Sequence, residues 1–402
     1  MESVSDSAAL TGAGAFGPEA AGPDLLERYL LECRSLALAE IAAFVPTDRP
    51  HAGRLYELML EYPLRDAKGL RPALAIATCR ALGGRLAGVL RTAAVLELYH
   101  NAFLIHDDVE DDSELRRSGE TLHRRHGVPI AVNVGDGMLA LALEPLLDNM
   151  RVVGMGKALR ILQTVGAMAR ASAEGQAIEL EWIRDGLWEL DDRSYLRMIY
   201  KKSAWYTFVT PITIGALVAG ASDARAALLR RFAMQLGLAF QIQDDILNLV
   251  GEEANYGKEI GGDLWEGKHT LILIHALRAS DGHDRERAEQ ILRKRRPASI
   301  PSTTAARLDA LVASNDLTAE GRRVLVESLV ATADARTEGD VRFLKQLIDR
   351  HGSIGYARAQ AQRRARHART ILDQCSQQAG FGPSVHRMFL ERLVDFVVER
   401  TR

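Results

Sequence analysis

The sequence is short of cysteine and has almost no net charge, and each shortage excludes a class of protein. Its three cysteines, Cys33, Cys79 and Cys375, form an odd and widely spaced set. Such a set is no disulfide framework and lacks the spacing of a zinc site, so we expect a reducing, cytoplasmic environment. A net charge of −2 over 402 residues gives no general attraction to nucleic acid or to an anionic membrane surface.

A secretion signal and a long apolar run are also missing. Residues 1–22 are rich in Ala, Gly and Ser and have neither a basic start nor an apolar run, which predicts a disordered tail rather than a signal peptide. The longest apolar stretch that we identify, residues 207–221, is too short to span a bilayer and contains Pro211. It predicts a buried helix, and we therefore expect a soluble protein without a membrane span.

Strand signals are scarce along the chain. Alternating apolar runs closed by Asn-Gly or Asp-Gly turns do not occur, whereas apolar residues recur at steps of three and four along most of the sequence. The basic and turn-rich residues 293–309 predict an exposed connection between helices. Together these patterns predict one large all-α domain over residues 23–402.

Two acidic clusters each end an apolar helical segment. In the first, Asp107 and Asp111 share one helical face, and Asp108 lies one position further round. The second cluster repeats the four-residue spacing and consists of Asp244, Asp245 and Asn248. A solvated helix end, with its acids offset by nearby arginines, is the alternative interpretation of the first cluster.

Acidic groups in buried segments are costly unless they are paired or bind a cation. The two clusters therefore suggest two helices that face each other across a cavity. Their ligands would be oxygen atoms alone, with neither histidine nor cysteine, which favours a hard cation such as magnesium.

Basic residues recur at the ends of the apolar helical segments. They are Lys68, Arg71, Arg116, Arg117, Lys201, Lys202, Lys258 and Lys268. Each of them alone is most simply a surface charge, but together they can hold phosphate oxygens. The sequence has no Walker-type glycine loop and no GxGxxG after a strand, so a nucleotide-binding fold is not expected.

These motifs resemble those of the trans-isoprenyl diphosphate synthases, the polyprenyl synthetase family. In chain order they read KGLRP, HDDVEDDSELRR, GQAIELEW, KKSAWY, FQIQDDILN and YGKEIGGDLWEGKHT, and the resemblance runs from about residue 25 to the end. It implies a single large helical bundle around a deep central cavity, usually in a homodimer. The implied reaction joins isopentenyl diphosphate head-to-tail to an allylic diphosphate such as dimethylallyl, geranyl or farnesyl diphosphate.

The resemblance also implies roles for individual residues. The ligands of about three magnesium ions would be Asp107, Asp108, Asp111, Asp244, Asp245 and Asn248. The allylic diphosphate would contact Arg116, Lys202, Ser203, Gln241, Lys258 and Lys268. The isopentenyl diphosphate would contact Lys68, Arg71, His100 and Arg117. The catalytic residues would be Asp107, Asp108, Asp111, Asp244, Asp245, Lys202 and Lys258, and Gln176 and Asp263 fall at further family positions.

A few positions depart from the family pattern. Ser118 intervenes between the two arginines and Gly119, which can shift the following loop but leaves both arginines in register. His269 stands where arginine is common, and Ser203 replaces a threonine but keeps the hydroxyl group. A lone histidine on an apolar helix is more often a core residue, yet the position of His100 matches the family's isopentenyl diphosphate ligand.

Product length depends in this family on side chains upstream of the first acidic cluster, here Tyr99, Ala102 and Phe103. An aromatic residue at the position of Ala102 often stops growth at fifteen carbons, whereas Phe103 would partly close the tunnel. We therefore expect geranylgeranyl diphosphate, with the fifteen- or twenty-five-carbon product as alternatives.

Two other functions remain open: a terpene cyclase on the same fold and a non-catalytic subunit of a partner synthase. The isopentenyl diphosphate site argues against the cyclase, and the two intact acidic motifs argue against the subunit.

Overall fold

The computed structural model describes residues 24–49, 51–251, 261–297, 300, 302–330, 334–377 and 380–400. The first part of the chain forms α1 (Leu25–Phe44), α2 (Gly53–Leu64), α3 (Leu70–Ala81), α4 (Leu86–Glu110), β1 (Leu115–Arg116), β2 (Gly119–Glu120), α5 (Leu122–His126), α6 (Val128–Leu141), α7 (Leu143–Asp148), α8 (Met150–Val153) and α9 (Met155–Asp185). The second part forms α10 (Asp192–Ile199), a π-helix (Tyr200–Val209), α11 (Thr210–Ala219), α12 (Asp223–Val250), α13 (Gly262–Glu266), α14 (Leu271–Ala279), α15 (Gly282–Leu292), α16 (Ser302–Ala313), α17 (Ala319–Val330), α18 (Glu338–Arg350), α19 (Ser353–Ser376) and α20 (Val385–Glu399). The predicted all-α fold is confirmed, and the predicted tail, residues 1–22, lies outside the described residues.

Helix α12 joins the two main hydrophobic cores of the bundle. Leu229, Phe232 and Leu236, at helical steps of three and four, enter a core that α1, α3, α4, α11 and α20 also build. Further along the same helix, Ile242 and Ile246 enter a second core with α10, α14, α18 and α19. Each such buried side chain contributes about 1.5–3 kcal/mol, so both cores hold the helix that carries the second acidic cluster.

The π-helix continues α10 and runs directly into α11. It packs against α9, where Gly175 allows the close approach, since a Cβ atom there would lie 2.3 Å from the backbone nitrogen of Lys202. The wider π turn places Lys202, Ser203, Tyr206 and Thr207 on one cavity wall. Sequence periodicity did not predict this element, because apolar spacing separates π from α geometry poorly.

A short antiparallel hairpin follows the first acidic cluster. Leu115 pairs with Glu120 and Arg116 with Gly119, so Arg117 and Ser118 occupy the two central positions of the turn. Their φ angles are 51° and 60°, the left-handed conformation that tight hairpin turns need. The sequence did not predict this hairpin, because neither of the two central residues is the Asn or Gly that such turns usually contain. The additional Ser118 is the residue that closes the turn.

The basic residues 293–309 are only partly the exposed connection that we expected. Arg295 forms a parallel bridge with Ala335, and α16 begins at Ser302. Helices α16 and α17 then pack against each other before the chain returns to the bundle at α18.

Residues 207–221 are mostly buried, as predicted. Ile212, Ile214 and Ala216 of α11 are fully buried, whereas Gly220, the residue after this helix, is exposed. A different stretch, Val128–Val153, is long and apolar enough to cross a membrane by length and composition, and 39 % of its apolar 18-residue window is buried. It consists of the three consecutive helices α6, α7 and α8, which pack on one another. Length and composition alone are weak evidence for a membrane span, because a helix of a protein core meets the same criteria.

Candidate active site

A cavity of about 1100 Å³ lies between α3, α4, α9, the π-helix and α12. The predicted site residues on its wall are Lys68, Arg71, His100, Phe103, Asp107, Asp111, Arg116, Arg117, Gln176, Lys202, Ser203, Gln241, Asp244, Asp245, Asp263 and Lys268. Four others, Tyr99, Ala102, Asp108 and Asn248, lie behind this wall rather than on it. Lys258 lies outside the described residues.

The two acidic clusters line the same cavity, and Lys268 joins the first of them to α13. Its Nζ atom lies 2.8 Å from Asp111 Oδ2, 2.6 Å from Glu266 Oε2 and 4.0 Å from Asp263 Oδ1. Burial alone would lower the pKa of Lys268, but these carboxylates raise it well above its usual value. Lys268 therefore keeps its charge inside the cavity.

Lys202 is a second, partly buried cation on the cavity wall. It forms an ion pair with Glu179, a carboxylate of α9 that is itself buried. Burial opposes the charge on Lys202, but Glu179 and Asp107 raise the pKa of the amine above its usual value. Both lysines thus present fixed positive charge to whatever enters between the acidic clusters.

The carboxylates of the cavity are only partly neutralised by these cations. Burial raises the pKa of Asp107, against the opposing effect of Lys202. Burial and the nearby Asp263 raise the pKa of Asp245 to about 8, although Tyr195 and Gln241 donate hydrogen bonds to it at 2.7 Å and 3.0 Å. The surroundings of these carboxyl groups favour their neutral form. A divalent cation fits such a site, because its positive charge would favour the ionised form instead.

Asp108 points away from the other aspartates of its motif. It is 1 % exposed, pairs with Arg116, whose Nε donates to it at 2.9 Å, and accepts a hydrogen bond from Tyr62 Oη at 2.7 Å. This arrangement ties the hairpin to α4 and α2. Because successive residues of a helix point about 100° apart, Asp107 and Asp108 cannot share one face.

Asn248 likewise takes part in the structure beside the cavity rather than on its wall. Its Oδ1 atom accepts a hydrogen bond from the backbone N–H of Asp263 at 3.1 Å, and the side chain is 4 % exposed. Asn248 therefore holds the start of α13 in place.

A second set of cations lines the cavity on α3 and the hairpin. Arg117 donates to Tyr62 O at 2.9 Å and to Asn101 Oδ1 at 3.2 Å, and its Nη2 lies 3.3 Å from His100 Nε2. Burial lowers the pKa of Arg117 to about 10, with Glu97 opposing the shift. The arginine remains protonated at neutral pH.

Two residues of the KGLRP motif complete this second set of cations. Arg71 donates to Thr207 Oγ1 at 2.8 Å, and its guanidinium lies 4.6 Å from the centre of the Tyr206 ring. Lys68 Nζ lies 5.6 Å from the centre of the Phe396 ring. The structure thus brings together the residues that we expected at the isopentenyl diphosphate site.

Residues 53–307 match the model of the polyprenyl synthetase family. This chain belongs to the polyprenyl synthetase family. It is 31 % identical over 333 residues to a short chain isoprenyl diphosphate synthase of Methanothermobacter thermautotrophicus, covering 83 % of this chain and 86 % of that protein. It is 29 % identical over 342 residues to a geranylfarnesyl diphosphate synthase of Aeropyrum pernix, with coverage of 83 % and 91 %.

A solved structure shows the same fold. The geranylgeranyl pyrophosphate synthetase of Pyrococcus horikoshii superposes with a TM-score of 0.74 at 27 % identity, covering 93 % of this chain and 99 % of that one. This polyprenyl synthetase is therefore a trans-prenyltransferase of isoprenoid biosynthesis, in a family that uses a divalent metal ion.

The wall residues of this polyprenyl synthetase that were not predicted from sequence include Arg400, Glu97 and Tyr206. Arg400 forms an ion pair with Asp244 and donates to Phe240 O at 3.0 Å, although the two helical segments are far apart in the chain. Glu97 lies one helical turn before His100 and is 4 % exposed beside Arg117. A charged residue inside an apolar helical run was the available signal for Glu97.

The third unpredicted wall residue is Tyr206, which forms the apolar part of the cavity with Phe103. The two rings meet edge to face with centroids 5.5 Å apart. Tyr99 lies behind Phe103 at 6.0 Å, and Ala102 is fully buried. Of the three predicted product-length residues, Phe103 is thus the one that faces the cavity.

Proposed function

We propose that this prenyltransferase condenses isopentenyl diphosphate head-to-tail with dimethylallyl, geranyl or farnesyl diphosphate to form geranylgeranyl diphosphate. The observation that carries the proposal is one cavity whose wall holds two different sets of polar side chains together with aromatic and aliphatic ones. One set consists of the carboxylates of the two acidic clusters with Lys202 and Lys268, and we call this part of the wall the acidic end; the other set consists of Lys68, two arginines and a histidine. Two diphosphates of different function fit such a cavity, and the apolar part accommodates a growing chain.

The allylic diphosphate would bind at the acidic end. We propose Asp107, Asp111, Asp244 and Asp245 as the residues that would hold magnesium, about three ions by family resemblance. When bound, these ions supply positive charge to the diphosphate leaving group. No three acidic, histidine or cysteine side chains in the described part of the chain converge into a complete metal site. Substrate oxygens and water would therefore complete the coordination.

Lys202 and Lys268 would hold the same diphosphate directly. Both are charged, and their side chains are only 17 % exposed, so their attraction for phosphate oxygens is only partly screened by water. Ser203 and Gln241 on the same wall would donate further hydrogen bonds. Arg116 is already paired with Asp108, so its predicted contact would use the remaining face of its guanidinium group.

The isopentenyl diphosphate would bind to Lys68, Arg71, His100 and Arg117. Its double bond would then lie next to the allylic carbon. Cleavage of the allylic carbon–oxygen bond leaves a carbocation, the double bond attacks it, and a proton is lost to the departing diphosphate. The apolar wall, with Phe103 and Tyr206, would keep water from quenching the cation.

The product length rests on the depth of the apolar part. Phe103 and Tyr206 narrow the cavity below the acidic cluster, which supports a product of intermediate length. Farnesyl or geranylfarnesyl diphosphate is the alternative, and relatives of the family differ in this property.

The test is an assay of the purified protein with radiolabelled isopentenyl diphosphate, magnesium and each allylic primer in turn. Chromatography of the hydrolysed products should show geranylgeraniol as the main alcohol. A second incubation with geranylgeranyl diphosphate alone tests the terpene cyclase, which would release a hydrocarbon or an alcohol. Absence of product with every primer would contradict the proposal and favour a non-catalytic subunit.

We also propose a cytoplasmic homodimer, as the family resemblance implies. Exposed apolar side chains form one face over α6, α7, α8 and the start of α9, which contact one another. They are Val128, Ile130, Val132, Leu143, Leu147, Val152, Met155 and Leu159. Such a face is typical of a protein interface.

Sedimentation equilibrium should give twice the chain mass, and Leu143→Glu with Leu147→Glu should give a monomer. A wild-type monomer that cosediments with phosphatidylcholine vesicles would instead assign the face to a membrane.

A further inference from the structure

The buried guanidinium group of Arg336 caps α13, the short helix at the acidic end of the cavity. Arg336 is 2 % exposed and lies beyond the residues that match the family model. Its Nη1 atom donates to Leu264 O at 2.7 Å and also to Trp265 O. These carbonyls lie in the last turn of α13, where helical partners are missing. The arginine satisfies them and carries the positive charge that a helix C-terminus favours.

The next residue after α13 lets the guanidinium group approach. Gly267 has a φ angle of 74°, and a Cβ atom there would lie 2.8 Å from Nη2 of Arg336. Any other residue would meet both the strained backbone and this contact. Gly267 and Arg336 thus form one unit directly before Lys268.

The other face of Arg336 is fixed to the end of α15. Its Nη2 donates to Lys294 O at 2.8 Å and to Leu292 O at 3.0 Å, and its Nε donates to Ile291 O at 3.2 Å. Its backbone N–H donates to Arg295 O at 2.8 Å. One side chain therefore joins α13 to a helix of the second hydrophobic core, to which Ile291 and Leu292 belong.

Two residues of the cavity wall lie close to Gly267 in the sequence. Asp263 lies in the first turn of α13, and Lys268 follows Gly267. The backbone N–H of Lys268 donates to Asp263 O at 2.9 Å, and its Nζ reaches Asp111 across the cavity. The rigid placement of α13 therefore decides where Asp263 and Lys268 meet a ligand, while Arg336 itself does not reach the cavity wall.

We propose that Arg336 is a positioning residue for the allylic diphosphate side of the reaction. This inference rests on the proposed function. By bonding the last carbonyls of α13 to the end of α15, Arg336 fixes Lys268 and Asp263 opposite Asp111. It acts on one substrate only, because the residues proposed for isopentenyl diphosphate lie on α4, on the hairpin and on or just before α3, and none of them belongs to α13 or α15.

The test compares Arg336→Met and Arg336→Lys with the wild type in steady-state prenyl transfer. Arg336→Met should raise the KM for farnesyl diphosphate and the half-saturating magnesium concentration by about tenfold to a hundredfold, the usual effect of removing a group that orients a ligand residue. The KM for isopentenyl diphosphate should stay the same. Arg336→Lys keeps the charge but loses the forked donor, so its values should lie between those of Arg336→Met and the wild type.

Arg387→Met is the matched control. Arg387 is a partly buried arginine that donates to Glu391 Oε1 at 2.7 Å and to Phe381 O at 3.4 Å, away from the cavity wall. Its loss can lower the melting temperature but should leave both KM values unchanged. This control separates the effect of removing an arginine with structural hydrogen bonds from the effect of displacing α13.

The outcomes distinguish the inference from the function on which it rests. No product from the wild type would contradict the proposed function. An active wild type with an unchanged KM for farnesyl diphosphate in both Arg336 variants, or with equal changes in the two KM values, would overturn the role of Arg336. If Arg336→Met does not fold, the affinity of Arg336→Lys for inorganic pyrophosphate is measured by calorimetry in the presence of magnesium. An affinity equal to that of the wild type would refute the inference.

Discussion

Neutralising Asp107 and neutralising its neighbour Asp108 should have opposite effects on stability. Asp108 lies in a buried network with Arg116 and Tyr62, behind the cavity wall. Asp107 lies on that wall, where burial makes its ionised form unfavourable. The substitutions Asp107→Asn and Asp108→Asn change the same chemical group at adjacent positions, so each is the control for the other.

The magnitude for Asp108→Asn follows from the burial of its partner. Arg116 would keep its charge at 6 % exposure without the carboxylate that balances it. Breaking a buried ion pair in this way costs about 3–5 kcal/mol. With an unfolding entropy of about 2.1 cal/mol/K per residue and a chain of 402 residues, the melting temperature should fall by about 4–6 °C.

Asp107→Asn should behave differently. The pKa of the Asp107 carboxyl group is raised in the folded state. The folded protein therefore loses stability as the pH rises from the unfolded pKa of this group through its folded pKa, and at neutral pH the charge of Asp107 opposes folding. Removing that charge should keep or raise the melting temperature. The same change removes a proposed magnesium ligand and should lower kcat by at least about a hundredfold.

Calorimetric melting and the prenyl transfer assay, both at pH 7, measure the two effects. Asp108→Asn should keep more activity than Asp107→Asn at a temperature where both are folded. Loss of activity in Asp108→Asn without any change in melting temperature would show that Asp108 faces the ligand and would refute the placement described above. A fall of the melting temperature in Asp107→Asn as large as that in Asp108→Asn would refute the electrostatic argument.

Two further substitutions test other parts of the cavity. Phe103→Ala removes one ring of the aromatic pair with Tyr206, so the main product should gain one isoprene unit in chromatography of the hydrolysed alcohols; an unchanged product distribution would exclude Phe103 as the floor. Arg400→Met removes the guanidinium group that pairs with Asp244. In the wild type, a metal ion that binds Asp244 must displace this group. The half-saturating magnesium concentration should therefore fall, by up to about tenfold if one charge-assisted hydrogen bond is lost. A rise would show that Arg400 supports the diphosphate instead of competing with the metal.

Local pattern predicted the helical class, and most of the site residues predicted from the motifs lie on the cavity wall. Steps of three and four apolar residues predict helices because side chains at that spacing share a face, and the motifs predicted Asp107, Asp111, Lys202 and Lys268 on one wall. The hairpin was not predicted, because Arg117 and Ser118 are unusual residues for a left-handed turn. The π-helix was not predicted either, because the spacing of apolar residues hardly differs between π and α geometry.

The sequence by itself determined the fold class, the family and the chemical nature of the site, because these depend on residue types at short spacings along single helices. Only the tertiary structure decided which aspartate of a motif faces the cavity: Asp108 turned to Arg116, and Asp107 did not. Likewise, only the tertiary structure shows the contacts of Arg400 with Asp244 and of Arg336 with α13. Those contacts link segments that are far apart in the chain, and their geometry follows from how whole helices pack, which no local spacing encodes.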